Sequence, residues 1–539
     1  MKSTVFTILF SAAILSLAGC GADGNAANDE LSILRNCIDA LGGGEAIGSI
    51  RIIHTVDSLS MAGMTGMTES WWIREPFIGF SVTEIGPVKQ QVLMQGDSVW
   101  TVDRNGHLSP GGLEETEQMQ LSKITIFYDY LLDTSLVSIG ADTLIDSVLT
   151  VPLHLENQEH IVFYYSRETW LPVLMTAVTM GLEVRSYPGD YESIDGIVSA
   201  TTNRNTIPAF GQEILNWNIV TEYNVAVPES IFVLTAEGVD WELESPGTPT
   251  AFSIRGEHIY LDGEVNGNPA TILLDSGAGA TVLDSSLAAE LGLEGSGSLP
   301  ARGIGGTTEF TFVEVLSYCA AGARINNQTL AVMPLSETFY SSTGEMIDLI
   351  LGYDFLSRFV TGIDYGSETI TLFDPDSFSI EREAASILPA ERSMSLLSIE
   401  ALLEDSVPVR LLLDTGAGGN IHLTPEFFEK HPEFLNDRPS FETRIQGVGG
   451  EETISGFRVS NITLGDYTVP GGICSSFNGG DMFSQYDGIL GNGILCRFIL
   501  HLDYSGSRII LQPSSLFDEG LPESLTGIGL EIEDARLLI

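Results

Sequence analysis

Two acidic residues stand at the ends of strongly apolar segments in this 539-residue chain. Asp275 follows TILL and precedes SGAG, and Asp414 follows RLLL and precedes TGAG. A carboxylate placed directly after a buried strand lies where its charge is costly, so its protonation differs from that of a surface acid. Two such groups that share one proton can take a proton from water and give one to an amide. The two stretches are therefore candidates for acid–base chemistry by a carboxyl pair.

The two acids belong to a duplicated segment. Each copy runs from an apolar strand through D-[ST]-G-A to a glycine-rich hairpin and an ILG segment. The separation in sequence between Asp275 and Gly352 is the same as that between Asp414 and Gly491. The copies also close alike, in RFVTGIDY and RFILHLDY. A duplicated lobe can build within one chain the twofold arrangement that two identical subunits build in a dimer.

These motifs resemble those of retropepsin-type aspartic proteases. The resemblance spans about 250 to 515 and implies a mainly β fold with two pepsin/retropepsin-like lobes, 250–376 and 392–514, before a tail at 515–539. It implies an aspartic endopeptidase whose catalytic pair is Asp275 and Asp414. A polypeptide would be the substrate, with no metal or cofactor, and the duplication implies a monomer with an internal pseudo-twofold axis.

The neighbours of each acid have their own expected roles. Gly277 and Gly416 permit a tight turn and a close approach of the two loops, where a Cβ would crowd them. The resemblance implies that the hydroxyls of Ser276 and Thr415 bridge the lobes and fix the carboxylates. It also places each ILG segment beneath an Asp loop.

The glycine-rich hairpins resemble the flaps that cover the substrate in this family. Glycines give such a hairpin the freedom to open and close. The expected flap residues are Gly303, Ile304, Gly305, Gly306, Gly447, Val448, Gly449 and Gly450. The second flap begins farther along the chain from its acid than the first flap does, so the second lobe is the larger one before its flap.

Residues 31–244 form a separate domain in the sequence pattern. Strand-like segments alternate with Gly, Asn and Asp turns, which predicts a curved antiparallel sheet. The stretch ELSILRNCIDALGG predicts a helix that ends at glycine, and 113–132 has room for another. The ensemble resembles LolA-type lipoprotein carriers, which are half-barrels with an apolar concave face. The linker SPGTPT, 245–250, is the predicted domain boundary.

The first residues resemble a bacterial lipoprotein signal. Lys2 precedes a short apolar run that ends in LAGC. The resemblance implies that residues 1–19 are removed, that Cys20 is lipidated, and that 20–30 serve as a tether at the periplasmic face of the outer membrane. A plain secretory signal is the alternative.

Composition excludes some other functions. The formal charge of −49 would repel nucleic acid and anionic membrane surfaces, so we expect no nucleic-acid partner. The histidines show no HExxH spacing, and neither a P-loop nor a G-x-S-x-G is present.

For the four cysteines after Cys20, a Cys474–Cys496 disulfide and buried free thiols both remain open.

A second class of function remains beside the enzyme. The same folds could form a non-catalytic module that binds lipid, lipoprotein or peptide. The residues 31–240 could instead deliver substrate or inhibit the site.

Overall fold

The computed structural model describes residues 26–538 except 157–159, 180–181, 229–230, 237, 304–305, 337–338, 341–343, 381–384, 437, 448–449, 478–482, 484, 521–530 and 534–535. The chain is mainly β, as its sequence predicts. It divides into two compact units, one ending at Gly238 and the other beginning at Val239. Within the described residues, no helix is both long and apolar enough to span a bilayer.

The N-terminal unit is built on one antiparallel sheet of fourteen strands. The strands are β1 Ile52–Met61, β2 Met64–Ile73, β3 Ile78–Ile85, β4 Val88–Gln95, β5 Ser98–Val102, β6 Leu108–Pro110, β7 Val137–Ile139, β8 Thr143–Ile145, β9 Val148–Leu155, β10 Val162–Ser166, β11 Pro172–Thr179, β12 Leu182–Ile194, β13 Ile197–Ile207 and β14 Gln212–Tyr223. The order across the sheet is β6-β5-β4-β3-β2-β1-β14-β13-β12-β11-β10-β9-β7, with β8 paired to β9. The first strand therefore pairs with the last one, near the middle of the sheet.

Helices cover part of this sheet. They are α1 Ala26–Ala40, α2 Gly44–Ser49, α3 Leu113–Thr125 and α4 Asp129–Leu132, with 3₁₀ turns at Thr134–Leu136 and Pro208–Phe210. Apolar residues of α1 recur every three or four positions, and Ile33, Leu34 and Cys37 are buried in one cluster with Leu153 of β9 and Phe163 of β10. The helix ends as predicted, where the Gly43 N–H donates to the Ile38 carbonyl at 2.9 Å.

The second unit contains the duplicated segment. Its first-lobe strands are β15 Trp241–Leu243, β16 Thr250–Ala251, β17 Ser253–Arg255, β18 His258–Val265, β19 Asn268–Leu274, β20 Val282–Asp284, β21 Ser296–Gly303, β22 Gly306–Ala320, β23 Ala323–Met333, β24 Leu349–Leu351, β25 Val360–Asp364 and β26 Thr369–Phe373. Its remaining strands are β27 Ser386–Pro389, β28 Glu391–Ser393, β29 Leu396–Leu403, β30 Val407–Leu413, β31 Ile421–Leu423, β32 Ser440–Gly447, β33 Gly450–Leu464, β34 Tyr467–Ser476, β35 Gly488–Leu490, β36 Phe498–Asp503, β37 Arg508–Pro513, β38 Glu531–Glu533 and β39 Arg536–Leu538. The helices are α5 Ser285–Glu290, α6 Tyr353–Leu356, α7 Pro425–Lys430 and α8 Asn492–Leu495.

The two lobes repeat one topology. In the first, β19 pairs with β24 in parallel and β24 pairs with β20 antiparallel. In the second, β30 pairs with β35 in parallel and β35 pairs with β31 antiparallel. The strand that precedes each acid therefore lies beside the ILG strand of its own lobe.

A six-stranded sheet joins the lobes. Its order is β16-β26-β25-β36-β37-β27, so three strands come from each half of the duplication. Gly362 of β25 and His501 of β36 occupy equivalent places in the two copies, and they pair with each other. Val360 pairs with Asp503, and Asp364 pairs with Ile499, symmetrically about that pair. The register therefore places the pseudo-twofold axis between Gly362 and His501.

In the part of the chain that the structure describes, none of the four cysteines after Cys20 forms a disulfide. Cys474 and Cys496 are both buried, and their thiols contact the carbonyls of Gly471 and Gly493 at 3.4 Å. The predicted Cys474–Cys496 disulfide is therefore wrong, and both residues are buried thiols, as the alternative had it. Each thiol lies against a backbone carbonyl of its own segment rather than against the other cysteine.

One buried ion pair ties the start of the second unit to its first lobe. The Arg358 side chain is fully buried, and its Nε donates to both carboxylate oxygens of Asp240 at 2.9 Å. Gln328 Nε2 also donates to Asp240 at 2.9 Å. A buried guanidinium that loses its partner keeps the cost of its desolvation.

We expect Asp240→Ala to lower the free energy of unfolding by about 3–5 kcal/mol because it leaves the Arg358 charge buried and uncompensated. Chemical denaturation of the full chain measures the effect. Glu400→Ala is the control, because it removes an exposed carboxylate that accepts from Arg410 at 3.0 Å and should cost about 1 kcal/mol or less. Equal effects of the two variants would contradict the prediction.

Candidate active site

Each acid follows the buried end of a strand. Asp275 comes after Leu274 of β19, and Asp414 comes after Leu413 of β30. The Asp275 N–H donates to the Leu351 carbonyl at 3.0 Å, and the Asp414 N–H donates to the Leu490 carbonyl at 3.1 Å. The parallel pairing with the ILG strands thus fixes the position at which each strand ends, and with it the position of the acid that follows.

The hydroxyls beside the acids connect the two loops reciprocally. Ser276 Oγ accepts from the Thr415 N–H at 3.0 Å and donates to the Leu413 carbonyl at 2.8 Å. Thr415 Oγ1 accepts from the Ser276 N–H at 2.9 Å and donates to the Leu274 carbonyl at 3.2 Å. Both side chains are buried, so these four hydrogen bonds are shielded from water and hold the loops in one geometry.

The glycines after the hydroxyls make room for the opposite acid. A Cβ at Gly416 would lie 2.5 Å from Asp275 Oδ1, and one at Gly277 would lie 2.5 Å from Asp414 Oδ1. Real Cβ atoms do not approach other atoms so closely. Each carboxylate therefore lies over the glycine of the other loop, and this crossing brings the two acids together.

The two acids differ in their surroundings. Asp414 is only 9 % exposed, whereas Asp275 is partly exposed. Burial raises the pKa of Asp414 well above its ordinary range, and the charge of Asp275 and a hydrogen bond with it raise that pKa further. The Gly416 N–H donates to Asp414 Oδ1 at 2.8 Å and acts in the opposite direction. Among the described residues, Asp275 Oδ1 has no hydrogen-bond partner. The pair is thus arranged to hold one proton between two carboxyls.

The ILG segments lie against the Asp loops, as predicted. The Tyr353 N–H donates to the Ala278 carbonyl at 2.9 Å, and the Asn492 N–H donates to the Ala417 carbonyl at 2.9 Å. A Cβ at Gly352 would lie 2.6 Å from the Ala278 carbonyl oxygen, which explains why the segment ends in glycine.

The predicted flap residues that the structure describes lie at the ends of two hairpins. In the first lobe β21 and β22 meet at the Gly303–Gly306 pair, and in the second β32 and β33 meet at the Gly447–Gly450 pair. The residues Ile304, Gly305, Val448 and Gly449 lie outside the described residues, as does Cys20. The first lobe has α5 at the place of α7, so most of the extra residues before the second flap lie between α7 and β32.

Glu257 and His258 belong to the first lobe but contact the Asp414 loop of the second lobe, and neither was predicted as a site residue. Gly256 and Glu257 form the two-residue turn between β17 and β18, both with positive φ. Glu257 Oε2 accepts from the Gly419 N–H at 2.6 Å. His258, next in the chain, lies near Asp275: burial lowers its pKa, while the Asp275 charge and a hydrogen bond to the Gly416 backbone act against that shift. The strand-like residues on both sides of RGEH predict a turn there, but they do not show which part of the chain the turn contacts.

Asn492 holds this turn in place. Its Nδ2 donates to the carbonyls of Thr415 and Glu257, both at 2.7 Å, and its Oδ1 accepts from the Tyr365 hydroxyl at 2.6 Å. The corresponding residue of the first copy is Tyr353, whose hydroxyl accepts from Arg392 at 2.9 Å. The two halves of the site are therefore built alike near the acids and differently around them.

The crossed loops, the paired acids and the duplicated topology define an aspartyl-protease-type site. Two segments, 261–355 and 399–494, each match the family model described as aspartyl protease. These segments contain both acids, and the matches confirm the predicted resemblance of the two lobes to this family. No metal cluster is formed by His, Cys, Asp and Glu in the part of the chain that the structure describes.

Several solved structures are similar to parts of the chain. A retropepsin-like aspartic protease from Rickettsia conorii is 19% identical, covers 25% of this chain and 97% of its own, and has a TM-score of 0.19. A LolA superfamily protein from Nitrosomonas europaea is 10% identical, covers 38% of this chain and 97% of its own, and has a TM-score of 0.26. A DUF1329 family protein from Desulfovibrio piger is 14% identical, with 38% and 96% covered and a TM-score of 0.26. No curated protein sequence matches the chain.

Proposed function

We propose that the chain is an aspartic endopeptidase that hydrolyses peptide bonds with water activated between Asp275 and Asp414. The observation that carries the proposal is the crossing of the two loops, in which each carboxylate lies over the glycine of the other loop. The reciprocal bonds of Ser276 and Thr415 support it, because they hold that crossing rigidly.

The chemistry follows from one proton shared by two acids. Two close carboxyls cannot both ionise at low cost, so one pKa falls and the other rises, as in the aspartic-protease dyad that is the standard example of this effect. The ionised group takes a proton from the attacking water, and the protonated group gives one to the substrate carbonyl. A proton is then delivered to the leaving nitrogen. The two titrations belong to the pair, so the roles are not divided between the acids.

A digest of a mixed peptide library tests the proposal. The purified full-length chain is incubated with the library from pH 3 to 8, with and without a pepstatin-type inhibitor, and the products are identified by mass spectrometry. The proposal requires new internal termini in catalytic amounts that the inhibitor suppresses. Peptide capture without turnover would instead support the non-catalytic binding module. Chelation by EDTA should leave the rate unchanged, since the two carboxyls supply both proton transfers.

We further propose that the chain is anchored through lipid on Cys20, at the periplasmic face of the outer membrane. The LAGC stretch supports this proposal. Acylation of both the thiol and the new amine of Cys20 would supply the two or more acyl chains that stable anchoring requires. Within the envelope the chain would act as a monomer on polypeptide substrates.

We expect Cys20→Ser to move the protein from the detergent-rich to the aqueous phase in detergent phase partitioning, because the acylated thiol is lost. Cys37→Ser is the matched control, and its partitioning should not change because Cys37 is buried in the N-terminal core. Partitioning of Cys20→Ser into the detergent phase like the parent protein would contradict the anchor.

A further inference from the structure

A cavity of about 410 Å³ lies within the N-terminal unit. It is formed on β1, β13 and β14, with Trp72 of β2 and residues Ile126 and Tyr128 beyond α3 on its other walls. Ligand pockets commonly have volumes of roughly 300–1,000 Å³. The cavity is therefore large enough for a molecule of about the size of a disaccharide.

The floor of the cavity is a row of cross-strand pairs. Across β1 and β14, Thr55 pairs with Thr221, and Asp57 pairs with Asn218. Between β14 and β13, Asn216 pairs with Asn203. The residues of this row line the cavity with hydroxyl, amide and carboxyl groups.

A β-bulge produces this arrangement. The register of β14 against β1 shifts between the Val56 and Asp57 pairs, so that Ile219 has no partner there. Before the bulge Asn218 faces the cavity, and after it Thr221 does, although these residues are three apart rather than two. Without the extra residue, the second half of the strand would present its other face. Bulges that redirect side chains in this way are frequent beside functional sites.

The polar groups of the floor are held in fixed orientations. Asn218 Nδ2 donates to Asp57 Oδ1 at 2.9 Å, and Thr221 Oγ1 donates to Asn218 Oδ1 at 3.0 Å. On the adjacent wall, the hydroxyls of Ser199 and Tyr223 are 2.5 Å apart. Preorganised groups of this kind orient a ligand and distinguish it from molecules of similar size.

The composition of the lining selects the chemistry of the ligand. Beyond the hydrogen bonds that they form with one another, these hydroxyls and amides have further donors and acceptors, and an acyl chain would leave those without partners, which is unfavourable in a buried site. A phosphate or carboxylate would meet Asp57, and no Lys, Arg or His lines the cavity among the residues that the structure describes. A polyamine would need several carboxylates, whereas Asp57 is the one acid among the described residues of this lining.

A sugar satisfies the remaining features. Its hydroxyls can donate to and accept from Thr, Ser, Asn and Tyr side chains, and the aromatic residues Trp72 and Tyr128 also line the cavity. An ammonium group on the sugar would pair with the Asp57 carboxylate in a charge-assisted hydrogen bond. We propose that this cavity binds an amino sugar, or a short glycan that contains one.

Calorimetric titration of the full-length chain at pH 7 tests the proposal with three probes. These are the fully deacetylated glucosamine disaccharide, cellobiose as a neutral disaccharide, and palmitate. We expect the glucosamine disaccharide to bind at least about tenfold more tightly than cellobiose because of the added charge-assisted bond. Equal affinities, tighter binding of palmitate, or no detectable binding of the glucosamine disaccharide would each overturn the proposal.

Two variants locate the binding. Asp57→Asn keeps an acceptor for Asn218 but removes the charge, so the affinity for the glucosamine disaccharide should fall about tenfold, to that of cellobiose. Thr55→Val keeps the shape of the side chain and should weaken both disaccharides. Asp97→Asn, at an exposed acid of the same unit, is the control and should change neither affinity. Unchanged binding of the glucosamine disaccharide by Asp57→Asn, with an unchanged melting temperature, would overturn the site.

Discussion

Peptide cleavage is expected to fall by about 10³-fold or more in kcat when either Asp275 or Asp414 is replaced by asparagine, because acid-base catalysis by the pair is lost. The double variant should be scarcely slower than either single one, since residues that act as a unit lose their function together. Initial rates on a peptide identified from the library digest measure the effect. Asp262→Asn, at an exposed position of β18, is the matched control and should retain the parent rate.

Asp414→Asn also has an expected effect on the stability of the fold. The pKa of Asp414 is raised in the folded state, so the native protein holds its proton more tightly than the unfolded chain does. This contribution favours folding at low pH and is lost as the pH rises from the unfolded pKa through the raised native one. At neutral pH, Asp414→Asn should therefore melt at the parent temperature or above it. Retained cleavage by either single variant, with the fold intact, would contradict the catalytic assignment.

The pH dependence of cleavage should reflect the same pair. The active form holds one proton on two carboxyls, so kcat/KM should decline on the acid side when the second proton binds and on the alkaline side when the shared proton is lost. Because the pKa of Asp414 is raised, the alkaline decline should lie above the ordinary pKa of an aspartate. A profile with its only decline at the ordinary pKa of an aspartate would exclude a coupled pair.

Gly416→Ala is expected to reduce cleavage by about 10²-fold or more, because even a displacement of about 1 Å in a catalytic group can have such an effect. The new Cβ would lie 2.5 Å from Asp275 Oδ1, so either the carboxylate or the loop must move. Overpacking of this kind also costs about 1–3 kcal/mol of stability. Rates and melting temperatures of the purified variant measure both effects, and Gly277→Ala should behave alike against Asp414.

Gly48→Ala is the matched control for these two substitutions. Gly48 lies in helix α2, where a Cβ would meet no atom within 4 Å. Alanine is favoured over glycine in a helix by roughly 0.5–1 kcal/mol, so this variant should be at least as stable as the parent and fully active. Parent-level cleavage by Gly416→Ala would mean that the two loops do not cross as the structure places them.

The dyad could be predicted from sequence because its signal is local and repeated. An apolar strand, an acid, a hydroxyl and a glycine follow one another twice, and the acid is equally far from the end of the ILG segment in both copies. A duplicated pattern of that length constrains both the fold class and the pairing of the strands. The antiparallel character of the N-terminal sheet followed from period-two alternation in the same way.

The features that escaped prediction depend on tertiary register. The RGEH stretch indicates a tight turn, but only the assembled lobes bring Glu257 to the Gly419 N–H. Two separate thiols at Cys474 and Cys496 could not be distinguished from a disulfide, since the spacing of the cysteines in sequence gives no distance in space. The bulge at Ile219 could not be predicted from the sequence either. It makes the cavity more polar than the apolar concave face that the resemblance to lipoprotein carriers implies.

The six-stranded sheet has a consequence for how the site responds to concentration. A centre assembled from two separate subunits comes apart as it is diluted, because its formation obeys mass action. Here Gly362 and His501, on either side of the axis, belong to one polypeptide, and their strands are hydrogen-bonded neighbours. The specific activity of the proposed protease should therefore stay constant down to the lowest protein concentrations that can be assayed, so that a very small number of copies would suffice.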